Sequence, residues 1–564
     1  MTDIIRHLLR EIYGPEQIES IYPDLIQRIE QVRPTAQPQP KSFSEKDVVL
    51  ITYGDSLNQN GEHPLRTLHQ FARTHVAGAI STIHILPFFP YSSDDGFSVK
   101  DFYAVNPALG TWADVEQLGR DFDLMFDAVF NHMSAQSAWF KAFLADDPTY
   151  VGLFRSEDPN LDFSEVTRPR TSPLLTPFAK DNGETIYVWT TFSADQVDFD
   201  VCHPNTLLRL LDILLFYVRK GARVIRLDAI AYLWKEVGTA CIHLPETHAV
   251  IQLMRAVLDE VAPDVLIITE TNVPHAENVS YFGDGDDEAQ LVYNFVLPPL
   301  LFHTLLSGSA RKLREWVNTL HTPSAQTTFF NFTASHDGIG VRPVEDLLEP
   351  DELAALIHHT EKSGGRVSYR RNPNGSQSPY ELNITYVDAV TDADQPVAIR
   401  ARRFLLSQAI MLSLAGMPAI YIHSLLGSHN NIEGMRQTGQ NRTINRAKLK
   451  VDDVRVELED PATFRAQVFA GYLHLIRTRI AHPAFHPNGT QQALNLGSDS
   501  ILALLRTAPD QSEHMLAVYN VTDQIQPVDL NKVTDSPVMD LLSQKFVPAR
   551  VSLEPYQTLW LRLP

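Results

Sequence analysis

Cysteine, long apolar runs and positive charge are all scarce in this sequence. The two cysteines, Cys202 and Cys241, are too few for a disulfide framework or a cysteine metal site, and they suit a reducing compartment. No stretch provides about 18 uninterrupted apolar residues for a membrane helix, and the N-terminal MTDIIRHLLREIYG carries charges where a signal peptide is apolar. These absences predict a cytoplasmic protein without a membrane segment.

Basic residues number 47 against 68 acidic ones, which gives the 564-residue chain a formal net charge of -21. This charge argues against binding to nucleic acid or anionic membranes, because both require clustered Lys and Arg. An anionic substrate would need a local group of arginines. Hydrophobic residues make up 44% of the chain, as in an ordinary globular protein, and its length allows one large domain with smaller additions.

Short β-rich runs alternate with longer helical patterns through most of the chain. Helical stretches at 204–219, 246–261 and 397–415 separate several of these runs. Repeated strand–helix units of this kind close most naturally into a parallel (β/α)8 TIM barrel. The predicted strands are 48–54, 81–89, 123–130, 222–229, 265–271, 291–297, 328–334 and 418–424.

Segments outside this repeat predict additional parts. Apolar spacing indicates two amphipathic helices within residues 1–32, followed by a Pro-rich connector, so we assign 1–46 to an N-terminal helical extension and linker. The barrel is predicted over 47–484, with insertions 133–198 and 340–396 that are too long for simple connections and should lie over its mouth. Short strands and turns predict a C-terminal β domain over 485–564.

Charged and polar side chains stand at the carboxyl ends of the predicted strands, which converge on one mouth of a barrel. One such charge alone would more often belong to a structural ion pair. Several carboxylates packed together without a task, however, would cost repulsion and desolvation. The set therefore predicts a functional site composed of Asp94, Asn131, His132, Arg226, Asp228, Glu270, His336 and Asp337.

Paired carboxylates suit glycosyl transfer, because one must be ionised to attack the anomeric carbon and the other must protonate the leaving oxygen. Retention of configuration requires them to lie about 5 to 5.5 Å apart. Arg226 lies two residues before Asp228 on the same side of the strand, so it would keep that carboxylate ionised as a nucleophile. A third acid, Asp337, could hold sugar hydroxyls and stabilise oxocarbenium-like charge. Spacing alone does not assign these roles.

Four segments resemble, in order, the signature regions of the α-amylase superfamily, glycoside hydrolase family thirteen: FDAVFNH, ARVIRLDAI, LIITET and TASHD. Other motifs are similar to those of its sucrose phosphorylase subgroup: ITYGD, HILPFFPYSSDDGF, VFNHMS, RPR, QVDFD, IRLDA, NFVLPPLL, HDGIGV and QNRTINR. The resemblance implies that Asp228 is the nucleophile, Glu270 the general acid/base and Asp337 the stabiliser of the transition state.

The same resemblance implies how the substrates are held. Arg170, in the RPR segment, would bind phosphate, which needs charge-assisted donors. Asp94 and Arg442 would close the far end of the glucosyl subsite. The subgroup uses inorganic phosphate as co-substrate, with no bound metal or other cofactor. The other residues implied for the subsite are His132, Arg226 and His336, with Phe192 and Gln196 in the pocket wall.

The chain departs from the sucrose phosphorylases where these contact fructose. Its second insertion reads SPYEL, which keeps Tyr380 as an expected substrate contact. Ser378, Pro379 and Glu381 replace the other members of the D-L-Y-Q pattern, so Glu381 becomes a candidate contact and fructose is disfavoured as the leaving group. Pro169 stands where relatives that act on sucrose 6-phosphate tend to have arginine, which argues against that substrate too.

Two adjacent arginines, Arg370 and Arg371, lie on the loop VSYRRNPNG and could receive the carboxylate of an acceptor such as glycerate. They could equally be solvated surface charges. The N-terminal extension and the overall length look more like the glucosylglycerate phosphorylases than the shorter sucrose enzymes. We therefore predict a retaining phosphorylase that converts 2-O-α-glucosylglycerate and phosphate into α-glucose 1-phosphate and glycerate.

Other functions stay open at this point. The acceptor could be that of a sucrose, sucrose 6-phosphate or glucosylglycerol phosphorylase. An α-glucoside hydrolase or transglucosidase on the same fold would release glucose without phosphate. A non-catalytic sugar-binding protein is the third alternative, because a fold does not guarantee activity. The predicted partners are a small glucoside and phosphate, and the helices of residues 1–32 could dock on the barrel or form a homodimer.

Overall fold

Eight parallel strands close into a barrel in the computed structural model, which describes residues 2–33, 42–372 and 375–564. The strands pair in sequence order, with the last closing on the first, so the predicted (β/α)8 fold is confirmed. Each one overlaps a run that the sequence predicted. They are β1 Val49–Thr52, β2 Thr82–Ile85, β3 Asp123–Ala128, β4 Ala222–Leu227, β5 Leu266–Thr269, β6 Leu291–Tyr293, β7 Thr328–Phe332 and β8 Met417–Tyr421.

The barrel strands are buried because their apolar runs pack on both faces, as is typical of parallel sheets. All residues of β1, β2, β5 and β7 are buried. Two buried charged residues are exceptions to the apolar composition: Asp127 of β3 stands opposite Arg226 of β4 in the strand register, and the two form an ion pair. Arg226 therefore forms a structural ion pair with Asp127 inside the barrel, in addition to its contact with Asp228.

Helices surround the barrel and join its strands. The helix Pro204–Arg219 has the predicted bounds, and Val397–Ser413 ends two residues before the predicted end because Leu414 adopts an extended conformation. Pro204 suits the first position of its helix, since no N–H is needed there. The other main helices are Pro64–His75, Trp112–Leu118, Pro245–Val261, Leu297–Ser307, Arg311–Val317, Val451–Glu459 and Phe464–Ile480.

The N-terminal extension forms the two predicted helices, Thr2–Tyr13 and Ile18–Val32, and packs on the outside of the barrel. Its apolar stripe is buried against the helices Pro204–Arg219 and Pro245–Val261. The Tyr13 hydroxyl donates to the carbonyl oxygen of Val201 over 2.7 Å. The Pro-rich connector falls largely outside the described residues. Across the described ranges, none of the helices has the length and apolar character needed to cross a membrane.

Both long insertions contain short strands near the mouth. The first contains strands His132–Ser134, Leu175–Ala179, Thr185–Trp189 and Gln196–Asp198 with the helix Ala138–Leu144. The second contains the helix Pro350–Lys362 and the hairpin Arg366–Arg371 with Gln377–Asn383, which also pairs with Ile339–Gly340. The hairpin is thus hydrogen-bonded to the segment that follows β7.

An antiparallel sheet follows the barrel and begins at Thr490. Its strands, in spatial order, are Thr490–Leu494, Ile501–Thr507, His514–Asn520, Thr558–Arg562, Val538–Asp540 and Lys545–Val547, and Gln526–Asp529 pairs separately with Arg550–Leu553. The buried Arg506 donates to the carbonyl oxygens of His486 (2.7 Å) and Ser413 (2.5 Å), so it joins the sheet to the barrel.

Candidate active site

A cavity opens at the carboxyl ends of the barrel strands, where the sequence predicted a functional site. Carboxylates, histidines and arginines line it together with aromatic rings, and both insertions contribute to its wall. Most predicted site residues meet there: Asp94, His132, Arg170, Phe192, Gln196, Asp228, Glu270, His336, Asp337, Tyr380, Glu381 and Arg442. Arg226 is buried beside the cavity and contacts it through Asp228.

A buried arginine holds the carboxylate of Asp228, which follows β4. Arg226 Nη1 donates to Asp228 Oδ1 over 2.7 Å and also pairs with Asp127 of β3. Asp127 in turn contacts His84 Nε2 at 2.7 Å. This chain of buried charges fixes the guanidinium, and it places positive charge against Asp228 as the sequence predicted.

Glu270 follows β5 and lies beside Asp228. The N–H of Ala229, the residue after Asp228, donates to Glu270 Oε2 over 3.1 Å. Ala229 has a φ of 51°, which is uncommon for any residue other than glycine. The backbone bend after β4 therefore brings the two acids together in the cavity.

The two acids have different electrostatic environments. Burial raises the pKa of Glu270 to about 7; Arg226 opposes this rise, and the charges of Asp228 and Asp337 add to it. Burial also raises the pKa of Asp228 above its usual value, although the contact with Arg226 opposes this rise and favours the ionised form. A carboxyl group that keeps its proton near neutral pH suits a general acid, and one paired with a guanidinium suits a nucleophile.

Asp337, which comes after β7, is surrounded by positive charge. Although burial favours its neutral form, Arg442 and Arg446 lower the pKa of Asp337. Arg442 Nη1 lies 2.6 Å from Asp337 Oδ1, and its Nη2 lies 2.7 Å from Glu381 Oε2. Glu381 also accepts a hydrogen bond from the N–H of Gly338. These contacts hold an ionised carboxylate in the cavity, which is what stabilisation of a cationic transition state requires.

Asp94 contacts an arginine that the sequence analysis did not single out. Arg446 Nη1 lies 3.4 Å from Asp94 Oδ1 and 3.1 Å from Asp95 Oδ2, whereas Arg442 is engaged by the two carboxylates described above. Asp94 and Arg442, which were predicted to close the far end of the glucosyl subsite, both line the cavity. Arg446 is oriented by the carbonyl oxygen of His336, which accepts from its Nε over 3.0 Å. Sequence reasoning missed Arg446, although it is the last residue of QNRTINR.

Aromatic rings form much of the remaining wall. Phe97 stacks on the ring of His336 with centroids 4.7 Å apart, and its carbonyl oxygen lies 3.0 Å from His132 Nε2. The Phe192 ring lies 5.3 Å from that of His132 and 5.6 Å from that of Tyr232. Phe97 and Tyr232 were not predicted. Phe97 ends the motif HILPFFPYSSDDGF, so that motif held the signal.

Asn272, two residues after Glu270, also lines the cavity and was not predicted. Its Oδ1 is shielded from solvent and has no hydrogen-bond partner within the described residues. Gly340 packs closely on this amide, because a Cβ added there would lie 2.6 Å from Asn272 Nδ2. The absence of a side chain at residue 340 thus leaves room for a polar group in the cavity wall.

Arg170 presents its guanidinium to the cavity. Its guanidinium lies 5.5 Å from the centroid of the Phe192 ring and 5.3 Å from that of Tyr380. No carboxylate of the described residues forms an ion pair with it. A guanidinium held between rings in this way is available to an anion that enters the cavity.

The structure does not bring Arg370 and Arg371 to the cavity. Arg370 Nη2 pairs with Glu345 at 3.1 Å, and Arg371 is exposed at the end of the strand Arg366–Arg371. The proposed acceptor contact through these two residues is therefore corrected, because a surface carboxylate already engages one of them and the other faces solvent. Among the described residues, Arg170 and Arg442 are the arginines that line the cavity.

Comparison with known proteins agrees with this geometry. Residues 78–340 match the family model described as "Alpha amylase, catalytic domain". The chain is 49% identical to a glucosylglycerate phosphorylase from Spirochaeta thermophila, over 92% of this chain and 89% of that protein. The chain belongs to the glucosylglycerate phosphorylase family. A second member, from Escherichia coli K12, is 43% identical over the full length of both chains.

Solved structures support the fold of this family member. The crystal structure of a sucrose 6F-phosphate phosphorylase from Thermoanaerobacter thermosaccharolyticum superposes with a TM-score of 0.75 and covers 92% of this chain and 100% of that one. The sequence identity between the two is 24%, so this likeness shows the shared barrel architecture.

Proposed function

We propose that this chain is a retaining α-glucoside phosphorylase that converts 2-O-α-glucosylglycerate and phosphate into α-glucose 1-phosphate and glycerate. The observation that carries the proposal is the adjacent pair Asp228 and Glu270 in the cavity, one held by Arg226 and the other with a pKa raised to about 7. The family membership supplies the identity of the glucoside, since its members are named for glucosylglycerate.

The reaction proceeds through two displacements at the anomeric carbon. In the first, the Asp228 carboxylate attacks this carbon and the bond to glycerate breaks, while Glu270 gives its proton to the departing oxygen. In the second, a phosphate oxygen attacks the glucosyl-enzyme and its proton passes to Glu270, which frees Asp228. Asp337, kept ionised by two arginines, stabilises the positive charge that develops on the sugar ring in both steps.

Arg170 is proposed to receive both anions in turn. Glycerate and phosphate are never needed in the cavity together, because the first leaves before the second enters. A guanidinium can form paired hydrogen bonds with a carboxylate or a phosphate group. The cavity position of Arg170 and its lack of a carboxylate partner in the described chain support this role.

Replacing Arg170 by alanine is expected to raise the KM for phosphate and the KM for glycerate together, each by on the order of 10-fold to 100-fold. Initial rates in both directions would measure the two constants. Arg370→Ala is the matched control, because that guanidinium pairs with Glu345 away from the cavity and should change neither constant by much. An increase in KM for only one anion would contradict a shared site.

The pH dependence of kcat/KM for glucosylglycerate should report the proton of Glu270. A carboxyl group with a pKa of about 7 is protonated below that pH and loses its proton above it. The first displacement needs this proton, so kcat/KM should fall as the pH rises through about 7. Initial rates between about pH 5 and pH 9 would test this expectation. A value that rises through neutrality would contradict the acid role.

A screen of acceptors in the reverse direction decides between the alternatives. Glucose 1-phosphate is incubated with glycerate, glycerol, fructose or fructose 6-phosphate, and the release of phosphate is measured. Release with glycerate well above the others supports the proposal. Equal release without any acceptor would instead indicate a hydrolase.

We further propose that the enzyme acts in the cytoplasm without a metal or another cofactor, as a monomer or homodimer.

A further inference from the structure

Next to the cavity, the carboxylate of Asp195 accepts hydrogen bonds from the hydroxyl groups of four serines. Asp195 Oδ2 accepts hydrogen bonds from the hydroxyls of Ser92 (2.5 Å), Ser93 (2.5 Å) and Ser98 (2.8 Å). The hydroxyl of Ser134 lies 3.4 Å from Asp195 Oδ1. No cationic side chain in the described ranges forms an ion pair with Asp195. Its charge is therefore stabilised by these hydroxyl donors.

These hydrogen bonds join two separate parts of the cavity wall. Three of the serines belong to the segment 92–98, which follows β2 and contains Asp94. Asp195 itself belongs to the first insertion and directly precedes Gln196, which lines the cavity. The Asp195 side chain thus ties the segment that contains Asp94 to the first insertion, which supplies Gln196 to the cavity wall.

The segment 92–98 needs such support because its backbone is strained. Asp94 and Asp95 have φ angles of 53° and 48°, which are unfavourable for residues other than glycine. Gly96 follows with a φ of 116° and packs so closely that an added Cβ would lie 2.5 Å from the carbonyl oxygen of Pro87. Arg446 holds the two aspartate carboxylates, and Asp195 holds the serines on either side of them.

Phe97 belongs to the same segment, and its position orients both cavity histidines. Its ring stacks on His336 and its carbonyl oxygen contacts His132 Nε2. We propose that Asp195 is a positioning residue, which binds the serine hydroxyls of segment 92–98 and thereby keeps Asp94 and Phe97 in place to bind the glucosyl group. This inference rests on the proposed function, because it requires a glucosyl group in this cavity.

Asp195→Ala should lower kcat/KM for glucose 1-phosphate by on the order of 100-fold, since a displacement of about 1 Å in a binding group has an effect of this size. The KM for glycerate should change little, because Arg170 is untouched. Asp195→Asn keeps one acceptor oxygen for the serines and should lose less than about 10-fold. Asp181→Ala is the matched control: this aspartate is exposed on the same insertion, and its removal should have no effect.

A double-mutant cycle with Asp94→Ala separates positioning from a general loss of stability. When Asp195→Ala is added to Asp94→Ala, the further loss in kcat/KM should be much smaller than in the wild type, because the group that Asp195 positions is already absent. Penalties that multiply fully, or equal losses in Asp195→Ala and Asp195→Asn, would overturn the proposal. If Asp195→Ala does not fold, the double variant Ser93→Ala and Ser98→Ala replaces it in the cycle.

The assay distinguishes the two levels of proposal. A wild-type enzyme that releases no phosphate from glucose 1-phosphate and glycerate would refute the proposed function. An active wild type whose Asp195→Ala variant retains normal kcat/KM would refute only the positioning role.

Discussion

Asp228→Ala is expected to reduce kcat for phosphate release from glucose 1-phosphate and glycerate by on the order of 10⁴-fold or more. Without the carboxylate no glucosyl-enzyme can form, and both displacements depend on that intermediate. Arg226 would then keep its ion pair with Asp127 but lie next to an empty space where the Asp228 carboxylate was. The variant should be compared with Asp181→Ala, and its thermal unfolding should be recorded to show that the barrel is intact.

The products formed with azide would identify the role of Asp228 directly. In Asp228→Ala, azide can enter the vacated space and attack the anomeric carbon from the same side as the missing carboxylate. This single displacement inverts the configuration, so an α-glucosyl donor should yield the β-glucosyl azide. Formation of the α-glucosyl azide by this variant would show that another residue is the nucleophile.

Glu270→Gln is expected to lower kcat for glucosylglycerate phosphorolysis by on the order of 10²-fold to 10⁴-fold, because the amide cannot protonate the leaving oxygen. The fall in kcat/KM above pH 7 should disappear with the group whose pKa is about 7. Both effects are measured in one series of initial rates over pH. The variant is nearly isosteric with the wild type, so the hydrogen bond from the N–H of Ala229 can be kept.

A donor with a better leaving group provides the control for Glu270. Fluoride needs little help from a general acid, so α-glucosyl fluoride should form the glucosyl-enzyme in Glu270→Gln with a much smaller defect than glucosylglycerate. Azide should then capture the intermediate with retained configuration and give the α-glucosyl azide. The same defect with both donors would indicate that Glu270 serves binding or folding instead of proton transfer.

The barrel and its acids could be predicted from the sequence because their signals are local. Apolar runs bounded by turns define the strands, and a charge at the end of such a run must reach the mouth of the barrel. Asp228 and Glu270 follow β4 and β5 directly, and Asp337 lies on the short segment after β7, so the strand geometry brings all three to the cavity.

The contacts of Arg370 and Arg371 in the second insertion, and the arginine that contacts Asp94, could not be predicted in the same way. Arg370 and Arg371 are adjacent to the right motif, but the surface carboxylate of Glu345 is a non-local competitor that the sequence does not reveal. The contact of Arg446 with Asp94, beside that of Arg442 with Asp337, was missed for a similar reason. Both arginines lie in one short motif, and which carboxylate each one reaches depends on the three-dimensional position of the loop.

The hairpin of the second insertion is bonded to the strand segment that leaves β7, through Ile339 opposite Leu382 and Gly340 opposite Glu381. Glu381 also shares Arg442 with Asp337. A change of leaving-group preference through this hairpin would therefore disturb the carboxylate that both displacements use. Divergence among related phosphorylases should accordingly alter turnover and selectivity together, so that a new substrate is gained only with compensating substitutions around Arg442.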